Sequence, residues 1–360
     1  MMTMVAAFVI LVGMLVGDVC AQGSGLPIKA LYGFSRKGRA FHGKAPEQIA
    51  QTLEQWGITA VFGSYRDSSM VAALHSREIR VFAEVPLFAG KKHWKRYPRS
   101  RPILSTGKPV DPDGWYYGVN PVIPEIRQHG LEMIRRLVER YPLDGIWLDF
   151  IRWPCRWDKP NPQLPQTSFD SFTLESFQRA TGIHIPQELR AIPDRAGWIV
   201  RHHGQDWADW KCKQIVEFVR QARGIVDRAP RRALLGLFGV PWRRADFDGA
   251  IRHIVGQDYR ALSAHVDVFS PMAYHKLCGK DIPWIAQVTE WVGQETRKPV
   301  WPIIQAVDDP GPLSPQEFRR VLKTALAASG SEGVIIFNLR ALSQEKIKAI
   351  TEVFGTGIRR

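Results

Sequence analysis

The run Asp144-Gly145-Ile146-Trp147-Leu148-Asp149-Phe150-Ile151-Arg152-Trp153-Pro154 sets a carboxylate and a guanidinium at the end of an otherwise apolar stretch. A charge at the end of a buried strand is costly unless it pairs with another charge or meets a substrate, so Asp149 is the first candidate catalytic group. Arg152 reads equally well as a structural partner of Asp149 or as a substrate contact. A second carboxylate, Glu84, closes the apolar run that begins at Ile79. Two carboxyl groups flanking a glycosidic bond suffice for its hydrolysis, one protonating the leaving oxygen and the other acting as nucleophile or base. Partial burial of Glu84 would raise its pKa toward that of a useful acid. Asp67, Asp308 and Asp309 are the other carboxylates near strand ends, the last two reading also as a polar turn before Pro310.

Tyr32, Asn120, Tyr274, His275, Gln305, Asn338 and Arg340 fall at or just past strand ends or in loops, where they can offer hydrogen bonds to sugar hydroxyls. Trp94, Tyr97, Trp115, Tyr116, Tyr117, Trp153 and Trp157 all lie in two long connections, and exposed rings there would stack on the C–H faces of sugars. About half of these rings are expected to pack the loops down instead. The run from Lys91 to Arg101 interleaves basic residues with aromatics, a pattern that also serves single-stranded nucleic acid. No nucleic-acid motif accompanies it, so a polysaccharide or oligosaccharide, acidic or envelope-associated, is the expected partner. Cys155, His275 and Cys278 match no zinc spacing, and no metal or cofactor is expected. Neither a GxSxG elbow nor a phosphate-binding loop is present in the sequence.

These residues need a scaffold that brings strand ends together. Eight apolar, β-branched or aromatic runs alternate with amphipathic stretches: 28–34, 58–64, 79–85, 144–150, 233–239, 266–274, 299–305 and 333–339. The alternation predicts a parallel sheet, and the count predicts a closed (β/α)8 TIM barrel. The segment after the first run, GFSRKGRAFHG, lacks the glycine fingerprint of an open dinucleotide-binding sheet. Helix starts are legible at Ala45-Pro46-Glu47 and Ser314-Pro315-Gln316-Glu317, with proline in the first turn. Two connections, residues 86–121 and 151 to about 205, exceed ordinary turns, and both lie on the face where barrel active sites are built. The second is expected to hold a helix near 168–180.

The segment Leu148-Asp149-Phe150-Ile151-Arg152-Trp153-Pro154 resembles the LDxIRxP fourth-strand motif of a family of barrel glycoside hydrolases. Ser270-Pro271-Met272-Ala273-Tyr274 resembles that family's sixth-strand SPMxY motif. The resemblance implies a carbohydrate-active barrel with Asp149 and Tyr274 at matching positions. A more distant likeness is to family 18 chitinases, whose fourth strand ends DGxDxDxE. Here Trp147 stands at the first inner aspartate of that pattern and Ile151 at its catalytic glutamate, so the chitinase route is not implied. The rival to a hydrolase is a non-catalytic glycan-binding barrel, in which Asp149 and the aromatics hold a sugar without cleaving it.

Residues 1–21 read as a secretory signal: Val5 to Val16 is an unbroken apolar or glycine run, with small residues near Cys20-Ala21 placed for cleavage. An uncleaved anchor is the alternative, although the run is short for a bilayer span. Residues 22–360 would then form one barrel domain in a secreted or periplasmic protein. The formal net charge is +14 over 360 residues, and the signal removes only Asp18. Such a balance favours polyanionic partners or merely marks a solvated basic surface. Of the three cysteines that remain, Cys155 and Cys278 form the simplest disulfide pair for an exported chain.

Overall fold

Each of the eight apolar runs becomes a strand of the computed structural model, which describes residues 27–355. In chain order they are β1 (Ile28–Phe34), β2 (Ala60–Gly63), β3 (Arg80–Pro86), β4 (Gly145–Asp149), β5 (Leu234–Gly239), β6 (Val268–Ala273), β7 (Ile303–Gln305) and β8 (Gly333–Phe337). All neighbours pair in parallel and β8 closes on β1, giving the (β/α)8 TIM barrel. The helices are α1 (Pro46–Gln55), α2 (Ser68–His75), α3 (Lys91–Arg96), α4 (Pro124–Arg140), α5 (Ser171–Thr181), α6 (Ile192–His202), α7 (Gly204–Val226), α8 (Ala250–His253), α9 (Tyr259–Leu262), α10 (Pro283–Thr296), α11 (Pro315–Ala327) and α12 (Gln344–Phe354). The expected starts are present: Pro46 opens α1, and Ser314 Oγ accepts the Glu317 N–H at 3.1 Å to cap α11. The segment read as a signal lies outside the described residues. Among the described residues, no helix is long and apolar enough to cross a membrane.

Alternate residues of each strand point inward, and here the interior is packed with aromatic rings. Trp147 stacks on Trp301 at 5.2 Å and lies 4.7 Å from Phe82. Tyr32 touches Phe62, Phe238 and Phe337. So large an indole needs a gap opposite it, which Gly236 supplies: a Cβ built there would fall inside the Trp147 ring. Trp147 Nε1 donates to Ser270 Oγ at 3.0 Å, so the polar edge of the buried indole is satisfied.

At the opposite face, two aspartates tie the strand entrances together. Asp144 Oδ2 accepts the Val81 N–H at 2.7 Å and meets His75 Nε2 at 2.9 Å. Asp267 repeats the device with the Leu235 N–H and Arg223. Both are structural carboxylates, as their place at strand starts suggests.

The two long βα loops fold against each other above β3 and β4. Leu104 bridges Thr167, the Ile103 N–H donates to Ser168 Oγ, and Asn120 Nδ2 donates to Asp170 Oδ2. Asp113 in the first loop holds Arg156 and Lys159 in the second. Asp170 caps α5, the helix expected near 168–180. Cys155, Cys212 and Cys278 are all free and buried, so the Cys155–Cys278 disulfide is not formed. Among the described residues no cluster of His, Cys, Asp and Glu has metal-binding geometry.

Candidate active site

Glu84 and Asp149 reach one cavity at the C-terminal mouth of the barrel. Glu84 pairs opposite Trp147 in the β3–β4 ladder, and Asp149 follows two residues later on the same face. Strand rise and spacing then separate the two Cα atoms by about 8 Å. The cavity measures about 460 Å³, and Tyr32, Trp115, Arg152, Trp157, Tyr274 and Phe337 contribute to its walls. Its floor is the aromatic interior just described, which sets the electrostatics: carboxyls above stacked rings lose more water than the few donors around them replace.

Burial pushes Glu84 up to about 7, and the Asp149 charge adds to the rise, while the Tyr32 hydroxyl donates toward Glu84 and pulls the other way. Asp149 is also raised by burial, but the Arg152 cation and the Phe150 N–H, which donates to its Oδ1 at 2.7 Å, hold it down. The two carboxyls titrate as a pair. Asp149 alone has a cation and an amide beside it, so it is the member that ionises first, leaving Glu84 with the proton near neutrality.

Phe150, directly after Asp149, sits at φ 51, a left-handed conformation uncommon for an aromatic residue. The bend ends β4 and lays the ring between partners. Tyr116 stacks on it at 6.0 Å, and the Arg152 guanidinium lies 4.8 Å from its centroid. Arg152 is only 4% exposed, and its Nε and Nη1 have no hydrogen-bond partner among the described residues. Trp157 stacks on Tyr274 at 5.8 Å and joins the loop after β4 to the end of β6.

Of the residues read as site candidates, Tyr32, Glu84, Trp115, Asp149, Arg152, Trp157, Tyr274 and Asp309 line this cavity. The others do not. Asn120 is wholly buried, spending its amide on Asp170, Thr173 and the Val122 N–H. Trp153 packs on Trp210 with its N–H given to the Lys211 carbonyl. His275 points to Glu317 at 3.2 Å, and Gln305 ties the loops after β6 and β7 together, accepting the Leu277 N–H and donating to the Val307 and Asp309 carbonyls. Tyr116 backs Phe150 and accepts the Cys155 N–H, and Asn338 caps the turn at Arg340. In each case a polar group near a strand end or in a loop found a backbone or side-chain partner before it reached the mouth.

Phe150, Arg156, Asp158, Met272 and Phe337 line the cavity without having been singled out. Met272 and Phe337 were reachable by alternation, two residues from Ser270 and from Ile335. Arg156 and Asp158 belong to a loop with no period to read. Several members of the basic run after β3 are engaged by their own loop or by the start of α4. Arg99 pairs with Glu125, Arg101 pairs with Asp111 and lies over Trp94, and Lys91 lies over Tyr117.

Several solved structures share this architecture. The glycoside hydrolase domain of PgaB (BpsB) from Bordetella bronchiseptica superposes with a TM-score of 0.67 at 15% identity, covering 91% of this chain and 99% of that one. A β-galactosidase from the psychrophilic Marinomonas ef1 gives 0.64 at 14% identity over 91% of this chain and 58% of its own. An α-L-fucosidase, isoenzyme 2, from Paenibacillus thiaminolyticus gives 0.58 at 11% identity over 92% and 49%. Identities this low speak to fold alone. No curated protein matches the sequence. Residues 47–290, from α1 into α10 and so including Glu84, Asp149 and Tyr274, match the model of a family described as "Putative glycosyl hydrolase domain". With more than half of its length matched, this chain belongs to that glycosyl hydrolase family.

Proposed function

We propose that the protein hydrolyses O-glycosidic bonds of a polysaccharide, with Glu84 as the acid that protonates the leaving oxygen and Asp149 as the ionised partner. The observation that carries this reading is the placement of the two carboxyls on adjacent strands in one cavity, with Glu84 raised to about 7 by burial and by Asp149. Two carboxyls with divided protonation are the requirement of the reaction, one group giving a proton while the other supports the developing positive charge. Tyr32 orients Glu84, and Arg152 keeps Asp149 charged. Exposed Trp115, at 66%, and Trp157 against Tyr274 supply flat surfaces for sugar rings. A barrel that only holds a glycan has no use for a protonated acid beside an ionised one, so hydrolysis is the better account. The apolar run at Val5–Val16 supports action outside the cytoplasm, on a secreted or envelope polysaccharide.

The test is release of reducing ends from a panel of neutral, acidic and amino-sugar polysaccharides by the purified chain and by Asp149→Asn. The variant is expected to fold and to lose about 10²–10⁴ of the rate. A folded Asp149→Asn protein with full activity on the glycan identified would overturn the assignment.

A further inference from the structure

A second opening lies beside the cavity on the same face of the barrel. It is a cleft of about 960 Å³ between the loop after β1 and the start of α12, and its walls include Lys37, Arg39, Arg340 and Ser343. None of its lining residues is acidic and none is aromatic. The three cations are exposed, and none forms an ion pair among the described residues. This sets them apart from Arg99 and Arg101 of the basic loop after β3, which are held by Glu125 and Asp111. The nearest carboxylate on α12, Glu345, is turned to its own N–H and to Ser343.

The cleft and the cavity share a wall. Tyr32 and Phe337 line the cavity, while Gly33 and Leu339, on the same two chain segments, line the cleft. Gly33 and Asn338 meet at this wall so closely that a Cβ on Gly33 would lie 3.3 Å from Asn338 Cβ. A linear polymer lying across the mouth over β1 and β8 therefore passes from the carboxyl pair to the three cations. Three unpaired positive charges facing one cleft, with no counter-charge, favour an anion strongly over a neutral group. Absence of any aromatic platform argues against a nucleic-acid strand, whose bases would need stacking surfaces.

We propose that this cleft is an anion subsite, in which Lys37, Arg39 and Arg340 hold a carboxylate or sulfate ester of an acidic polysaccharide whose scissile bond lies between Glu84 and Asp149. The inference rests on the hydrolase reading and names its substrate class. Arginine forks at two of the three positions suit planar or tetrahedral oxyanions.

The experiment measures binding in a Glu84→Gln background, where no turnover occurs, by calorimetry with four probes: a galacturonate hexamer, a sulfated galactan hexamer, an unsulfated galactan hexamer and a thymidine hexanucleotide. One acidic hexamer is expected to bind more tightly than the neutral one, with an affinity that falls as salt rises. Adding K37A, R39A and R340A together should weaken that hexamer about tenfold and leave the neutral one within about twofold. Whichever acidic hexamer responds identifies the anionic group. Three results would overturn the subsite: no preference for either acidic hexamer, an unchanged acidic affinity in the triple variant, or an equal loss for the oligonucleotide. Because the readout is binding, its failure leaves hydrolysis by the carboxyl pair standing, and a failure to hydrolyse leaves the binding result standing.

Discussion

Replacing Glu84 with glutamine should disable the enzyme and, above neutral pH, make it more stable. The native carboxyl is raised to about 7 by its position over aromatic rings and beside Asp149, whereas in the unfolded chain it returns to the ordinary value of 4.5. Between those two values the native state keeps a proton that the unfolded state has released, so its stability declines as pH rises through the window. At pH 8 the decline is complete and amounts to about 3.5 kcal/mol, from roughly 2.5 pH units at about 1.4 kcal/mol each. Glutamine keeps the shape of the protonated acid and carries no charge at any pH, so the variant escapes that loss. At pH 4, where Glu84 is protonated in both states, wild type and variant should unfold alike. At pH 8 the variant should melt about 5 °C higher for a chain of this size. The assay is calorimetric melting of both proteins across pH 4–8, alongside hydrolysis rates, which should fall by about 10²–10⁴. In wild type, activity should fall as pH rises past about 7 because the acid loses its proton. A variant that is no more stable at pH 8 would refute the claim that Glu84 is strained by its surroundings, and one that keeps its activity would refute its role.

Two further outcomes follow from the same geometry. Trp115→Ala removes a ring that is 66% exposed at the cavity edge; KM should rise while the melting temperature stays put, since exposed substitutions change stability by about 0.5 kcal/mol or less. Gly236→Ala drives a methyl into the Trp147 ring beneath the carboxyls; urea unfolding should show a loss of about 1–3 kcal/mol, and an unchanged midpoint would mean the interior is less closely packed than it appears.

The barrel was legible because its strands are apolar on both faces, and such runs stand out between amphipathic helices. Their ends were less so. The run 299–305 yields a strand only over Ile303–Gln305, because the prolines at 299 and 302 cannot donate to the ladder. Glu84 and Asp149 could be picked out because a carboxylate closing a buried strand has few structural uses. Asn120, Gln305 and His275 were misplaced because an uncharged or weakly charged polar group near a strand end has many: each satisfies a nearby backbone group or side chain, which sequence spacing does not reveal. The bend at Phe150 was likewise hidden, since nothing in an aromatic residue announces a positive φ. The engagement of the basic loop and the freedom of Lys37, Arg39 and Arg340 depend on which acids fold next to them, a matter of tertiary structure alone.

The stitching of the two long loops bears on how this site can diversify. Leu104 with Thr167, Asn120 with Asp170, and Asp113 with Arg156 and Lys159 make residues 87–123 and 150–170 a single wall built from two stretches of chain. A duplicated gene that altered one stretch alone would unlatch the other, leaving Trp115 and Trp157 without their seats. Natural variants of this barrel with a new specificity should therefore carry paired changes in both stretches, and a laboratory transplant of specificity has to move the two as one cassette.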